Sequence, residues 1–310
     1  MNPAVETQGL CRNFGPRAAL SEVTLEVREG EMFGLLGPNG SGKTTLFRIL
    51  STLLAPTAGL ARVCGSDVVQ APMNVRDHLG VVFQSPALDP QLTVAENLRC
   101  AGNLYGLRGS DLEERLRAEA EALDVSDRLD DRVQILSGGL QRRVEIAKSL
   151  LPRPRVLLLD EPSTGLDPAA RAGLRAVLDK LRRETGVTIV MTTHSLDEAE
   201  ACDRVAVLHR GCLVTCESPA VLRERVGKDV AILSGPDLAG LAARVRASFG
   251  WPVAVQGGRV RVEVPAGAED AARLFVVAGG AAETVTIGRP TLEDVFLELT
   301  GESLRGEAES

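Results

Sequence analysis

No run of apolar residues in this chain approaches the ~20 needed to cross a bilayer. No Lys/Arg-rich block stands out and the formal net charge is −7, so no nucleic-acid partner is expected. The start at Met1 has no basic stretch leading into an apolar one, so no signal peptide is expected. There is no internal repeat. Cysteines are few and scattered (Cys11, Cys64, Cys100, Cys202, Cys212 and Cys216), which fits reduced thiols rather than a disulfide framework. His209, Cys212 and Cys216 are close in sequence, but two short apolar stretches joined at Arg210-Gly211 make a hairpin a better explanation than zinc. The expected location is the cytoplasm, with any membrane spans supplied by another chain.

What is present begins with a core. The 310 residues, 44% hydrophobic, suffice for one large domain and a small one. Gly37-Pro38-Asn39-Gly40-Ser41-Gly42-Lys43-Thr44-Thr45 completes the phosphate-binding pattern G-x-x-x-x-G-K-[ST]. Phe33, Leu35 and Leu36 before it read as a buried strand, and Leu46, Ile49 and Leu50 after it recur at helical spacing. The glycines let backbone N–H groups curl around phosphate oxygens, and the helix N-terminus adds positive potential there. Lys43 reaches the β- and γ-phosphates in such a loop, and the Thr44 hydroxyl ligates Mg²⁺.

Strands are expected at Val5 to Arg12, Val23 to Val27, Phe33 to Leu36, Leu79 to Val82, Val156 to Leu159 and Val187 to Thr192. The first two suit an antiparallel edge sheet, and Val156 to Leu159 a parallel strand buried on both faces. Residues from about 93 to 151 change to Leu, Ala, Glu and Arg at helical spacing and read as a helical insert. Ser110-Asp111-Leu112-Glu113 and Ser195-Leu196-Asp197-Glu198 read as capping boxes, and Asp167-Pro168 as an N-cap with a first-turn proline. The pattern changes near Gly227. A boundary at 227/228 then separates a second domain of order β-α-β-β-α-β, with a hairpin at Gly257-Gly258 and a last helix from Thr291. The expected class is α/β: a parallel sheet covered on both faces, an edge sheet, a helical insert and a small C-terminal α+β domain.

Four further segments narrow the chemistry. Leu136-Ser137-Gly138-Gly139-Leu140-Gln141 opens a helix and makes a second anion-binding nest. The strand Val156 to Leu159 ends in Asp160-Glu161-Pro162, and Ser163-Thr164-Gly165-Leu166-Asp167 follows. His194 ends the next strand, and Gln84 ends Val81-Val82-Phe83. Lone carboxylates or a lone histidine at strand ends are often solvated caps; two carboxylates after four buried aliphatics are not.

In this order the motifs resemble the nucleotide-binding subunit of an ATP-binding cassette (ABC) transporter, over about residues 4–227. The resemblance implies a P-loop NTPase core, ATP and Mg²⁺ as ligands, and two subunits paired head to tail, as a homodimer or with a similar ATPase subunit. Each ATP then lies between one subunit's phosphate loop and the other's Ser137-Gly138-Gly139. By the same resemblance Asp160 and Gln84 join Thr44 at Mg²⁺. Glu161 orients or deprotonates the attacking water, Gln84 and His194 sense the γ-phosphate, Asp167 shapes the subunit interface, and Phe14 stacks on adenine. Tyrosine is commoner at that last position. Leu140 stands where many members have Gln, as is frequent in one exporter branch. Gln84 to Asp89, Leu92 to Leu98 and Pro290 to Gly301 also look like that branch, the daunorubicin-resistance-type bacterial exporters. The implied partner is a separate transmembrane permease subunit, with the ATPase peripheral on the inner face of the membrane. A non-transport ATPase of the same fold is the rival reading. Its translation type carries two cassettes and its repair type a long coiled-coil insert, and residues 94–150 are too few for the latter. A catalytically silent subunit is the other rival; the presence of Lys43, Gln84, Glu161 and His194 speaks against it. The second domain carries no catalytic constellation, so a regulatory or dimer-supporting role is expected for it.

Overall fold

The computed structural model describes residues 3–226, 229–256, 258–264, 267–279 and 282–302. The chain forms two compact units, Met1–Glu217 and Ser218–Ser310. The division falls ten residues before the expected 227/228 boundary. The reason is the helix Pro219–Val226, which packs on the final helix Leu292–Thr300.

The larger unit starts with β1 (Val5–Phe14) and β2 (Arg17–Val27), an antiparallel pair in which Phe14 faces Arg17 across the turn. Then come β3 (Met32–Leu36), α1 (Lys43–Leu50), β4 (Ala58–Val63), β5 (Ser66–Asp67), α2 (Pro72–Asp77) and β6 (Leu79–Val82). The helical insert holds α3 (Val94–Leu104), α4 (Gly109–Ala122) and α5 (Gly138–Leu150). The chain returns through β7 (Val156–Asp160), α6 (Pro168–Thr185), β8 (Thr188–Thr193), α7 (Leu196–Glu200), β9 (Arg204–His209) and β10 (Cys212–Glu217).

The central sheet has the order β10-β9-β3-β8-β7-β6 and is parallel except for β10. Both faces are covered, so β3, β7 and β8 are buried along their whole length. The second sheet is antiparallel, β2-β1-β4-β5. Helix α1 joins the two. Its Leu46, Phe47, Ile49 and Leu50 share one core with Phe33 and Leu35 of β3, Leu158 of β7 and Leu10, Leu20 and Val23 of the edge sheet. Burying each large side chain contributes about 1.5–3 kcal/mol, so the phosphate-loop helix is held from both sides. At the far edge Cys212 faces His209 across a hairpin whose turn residues Arg210 and Gly211 both have positive φ, 48° and 81°.

The smaller unit contains, in chain order, α8 (Pro219–Val226), β11 (Asp229–Ser234), α9 (Leu238–Phe249), β12 (Val253–Gln256), β13 (Arg259–Val264), α10 (Gly267–Ala278), β14 (Thr284–Gly288) and α11 (Leu292–Thr300). Its antiparallel sheet runs β12-β13-β11-β14, so the β-α-β-β-α-β order closes as a split β-α-β unit. Gln256 pairs with Arg259 across the expected hairpin; Gly257 itself lies outside the described residues.

Both proposed serine caps differ from expectation. Helix α4 begins one residue before Ser110, with Arg108 at the N-cap and no side-chain cap bond, because the chain turns at Gly109 with φ 56°. At Ser195 the backbone caps α7 but the side chain does not. Thr193 takes over: its hydroxyl accepts from the Ser195 N–H at 2.8 Å and donates to the Glu198 carboxylate. Asp167 does cap α6, accepting from the Ala170 N–H at 2.8 Å, and Pro168 follows at the first turn.

Candidate active site

The C-terminal ends of β3, β6, β7 and β8 bring the chemistry together, as expected for a parallel sheet. At two of its glycines the loop leaving β3 has no room for a side chain. A Cβ at Gly37 would stand 2.3 Å from the Leu208 carbonyl oxygen and 2.6 Å from Ser41 Oγ. Gly42 caps α1 at φ 106°, and a Cβ there would meet the Ala19 carbonyl oxygen at 2.7 Å. The buried Ser41 Oγ has no hydrogen-bond partner among the described residues. An orphaned hydroxyl inside a backbone cradle fits a loop built to receive an anion.

Lys43 is almost fully buried. Its ammonium donates to the carbonyl oxygens of Gly37 at 2.6 Å and Pro38 at 3.0 Å, and lies 4.0 Å from Glu161 Oε1. Burial lowers its pKa, opposed by the nearby Glu161 and Asp160 carboxylates. Asp160 closes β7 buried, and its Oδ1 accepts from the Thr192 hydroxyl at 2.5 Å. Burial raises its pKa, the Thr192 bond opposes this, and Glu161 adds to it.

Glu161 is the hub. Its backbone sits at φ 46°, in a left-handed conformation that costs energy for a non-glycine residue. The surroundings enforce it: the Glu161 N–H donates to Thr192 Oγ1 at 2.9 Å. Its carboxylate Oε2 meets Gln84 Nε2 at 3.4 Å, His194 Nδ1 at 3.3 Å and the Thr164 hydroxyl at 3.2 Å. One mostly buried carboxylate thus gathers side chains from the ends of two strands, β6 and β8, and from the loop after β7.

A cavity of about 300 Å³ opens in front of this cluster. Phe14, Arg17, Asn39, Lys43, Thr44 and Glu161 are among its walls. Phe14 is 47% exposed, which excludes simple core packing for it. The exposed Thr44 hydroxyl, the Asp160 carboxylate and the Gln84 amide are hard oxygen donors of the kind Mg²⁺ accepts.

Ser137, Gly138 and Gly139 are elsewhere and do not line this cavity. Ser137 and Gly138 are exposed at the start of α5, where Ser137 accepts from the Leu140 N–H at 3.4 Å. A Cβ at Gly139 would touch the Ala170 side chain at 3.0 Å, and one at Gly138 that of Leu166 at 3.6 Å. The nest therefore lies beside exposed Asp167, and these residues form a second, separate group.

Arg142, which the motifs do not mark, ties α5 to the cluster. Buried, it donates from Nη1 to the Phe83 carbonyl at 2.7 Å and to Glu145 Oε2 at 2.9 Å, and from Nη2 to the Gln84 carbonyl at 3.2 Å. Glu145 accepts the Ala87 N–H at 2.6 Å, and burial pushes its pKa up. Thr164, Arg17 and Arg142 escape sequence reading for one reason: each acts by position alone, in segments where many residue types share the same spacing.

A phosphate loop on such a sheet, with a carboxylate hub and a separate glycine nest, defines an ABC-type ATPase. A family model described as "ABC transporter" matches residues 20–164. The Nod factor export ATP-binding protein I of Ralstonia nicotianae is 36% identical, over 98% of this chain and 95% of its own length. The daunorubicin resistance ATP-binding protein DrrA3 of Streptomyces coeruleorubidus is 37% identical, over 97% of each. A solved ATP-binding cassette, in a dimeric post-hydrolysis state with ADP and Pi, superposes with a TM-score of 0.62 at 29% identity; the match covers 69% of this chain and 98% of that one. The chain belongs to the ABC transporter family, as an ATP-binding and ATP-hydrolysing subunit of the exporter type.

Proposed function

We propose that this chain powers a bacterial exporter by closing and reopening a head-to-tail dimer on the cytoplasmic face of the membrane. The observation that carries this reading is the separation of the two groups: Lys43 and Glu161 share one cavity, while Ser137-Gly138-Gly139 stands exposed outside it. A second copy presenting its Ser137 nest completes the γ-phosphate surroundings. No helix among the described residues is long and apolar enough to cross a membrane, so the transport path belongs to a separate permease subunit.

Each residue then has a task. Lys43 exchanges its bonds to the Gly37 and Pro38 carbonyls for phosphate oxygens. Thr44, Asp160 and Gln84 hold Mg²⁺, which neutralises charge on the phosphates. Glu161 accepts the proton of the attacking water, worth typically about 10²–10⁴-fold. His194 and Gln84, both on the Glu161 carboxylate, hold it in line with the γ-phosphate. Phe14 stacks on the adenine. Asp167, next to the nest, contributes to the interface. Residues 228–310 support or regulate the dimer rather than the chemistry.

Glu161→Gln tests the reading. It keeps the shape, removes the base and removes negative charge near the γ-phosphate. Hydrolysis should fall at least about a hundredfold while ATP binding survives. Size-exclusion chromatography with Mg²⁺-ATP should then show an accumulated dimer. Hydrolysis at the wild-type rate would remove Glu161 as the base.

A further inference from the structure

Two arginines belong to none of the recognised motifs: Arg17 lines the cavity, and Arg12 packs against its wall residue Phe14. Arg12 lies on β1, two residues before Phe14, and Arg17 opens β2 opposite Phe14. The Arg12 guanidinium stands over the Phe14 ring, 4.6 Å from its centroid. Its Nη1 donates to the Ala55 carbonyl at 2.9 Å, which anchors the group there. Phe14 lines the cavity and is about half exposed, so with a cation over one face the other is left for a ligand. Arg17 lines the same cavity, beside Lys43 and Thr44. Its Nη2 lies 3.7 Å from where a Cβ at Gly40 would be, directly over the phosphate loop. The Arg17 guanidinium has no ion-pair or hydrogen-bond partner among the described residues.

We infer that the two arginines divide recognition of the nucleotide: Arg12 holds the Phe14 ring as a stacking surface for the base, and Arg17 binds the triphosphate as a second cation beside Lys43. This rests on the ATP-site reading above. The physical case for Arg12 is preorganisation. An exposed phenylalanine loses rotamer freedom when a base stacks on it, and a planar guanidinium over the ring restricts that freedom beforehand. Arg12 is thus a positioning residue that never touches the ligand. The case for Arg17 is charge. Lys43 brings a single positive charge and lies 4.0 Å from the Glu161 carboxylate, so it offsets only part of a triphosphate's charge. An unpaired guanidinium over the loop loses no existing bond on meeting a phosphate oxygen.

The test separates base from phosphates. ATP and inorganic tripolyphosphate, each with Mg²⁺, are titrated calorimetrically into the full chain at fixed salt. Arg12→Met should weaken ATP roughly fivefold and leave tripolyphosphate unchanged. Arg12→Lys, which can still place a cation on the ring, should bring ATP to within about twofold of wild type. Arg17→Gln should weaken both ligands about tenfold. Equal shifts of both ligands, or none, in Arg12→Met would overturn the positioning role. Loss of ATP but not tripolyphosphate affinity in Arg17→Gln would overturn the phosphate role. If Arg12→Met fails to fold, Phe14→Leu replaces it and must show the same ATP-only loss. A wild-type chain that binds neither ligand removes the phosphate-loop assignment itself, a failure distinct from those of the variants.

Discussion

Residues 37–43 and residues 137–139 both lead into helices of the same unit, yet their surroundings differ. The phosphate loop is enclosed: β9 approaches Gly37, β2 approaches Gly42, and Lys43 already has two carbonyl partners. The Ser137 nest is open, with only Leu166 and Ala170 packed beside its glycines. An enclosed anion loop is a finished half of a site. On the reading proposed above, the exposed nest is the half that a second copy completes. Arg142, on the helix that the nest opens, donates to the Phe83 and Gln84 carbonyls at the end of β6. Gln84 in turn meets the Glu161 carboxylate, so Arg142 is the packed link between the nest's helix and that carboxylate.

The largest effect in this comparison comes from breaking the enclosed half. Lys43→Ala removes the buried cation that stands next to Glu161, so ATP affinity should drop at least about tenfold and turnover should fall to background. Equilibrium binding and steady-state phosphate release check this, and near-normal activity would discredit the loop. The link comes next. Arg142→Met strands Glu145 without its buried partner, and unfolding free energy should fall by about 3 kcal/mol, read from urea denaturation. In the variant that remains folded, kcat should fall more than ATP affinity, because the Gln84 carbonyl loses its anchor. An unchanged kcat would sever the proposed connection.

The smallest effect lies away from both halves. On α4, burial pushes the Glu119 carboxyl up from 4.5 to about 7, opposed by Arg115 and Arg153. A raised acid is stabilising in its protonated form. Its contribution is complete below about 4.5 and is lost as pH rises through about 7. Glu119→Gln imitates the protonated acid without titrating. The variant should therefore melt higher than wild type at pH 8, by about 2 °C or more, with the gap closing towards pH 5. A gap that does not change with pH would contradict the burial argument.

The strongly periodic and strongly constrained parts of this chain were legible. Val156 to Leu159 is apolar without interruption because β7 is covered on both faces, and Gly37 to Thr45 must have glycines where backbone and hydroxyl crowd it. Strands β4 and β5 were not legible: Ala58-Gly59-Leu60-Ala61 carries little β signal, and its pairing with β1 supplies the stability. The caps at Ser110 and Ser195 misled because a capping pattern reports local preference, while Gly109 and the Thr193 hydroxyl settle the actual geometry. At the candidate site, Glu161, His194 and Gln84 were singled out through motif order, and the fold brings the three side chains together. Thr164, Arg12, Arg17 and Arg142 emerge only from three-dimensional placement, since nothing in their spacing distinguishes them from surface residues.

The central claim is that a working site takes its two halves from two copies. It is tested most directly by mixing a Ser137→Arg chain, which spoils the nest, with a Lys43→Ala chain, which spoils the loop. Each alone should be inactive. A mixed dimer holds one site with both halves intact, so an equal mixture should recover up to about a quarter of wild-type ATPase activity. Mixtures that stay inactive while mixed dimers demonstrably form would contradict the account, as would a Ser137→Arg chain that hydrolyses ATP at the wild-type rate alone.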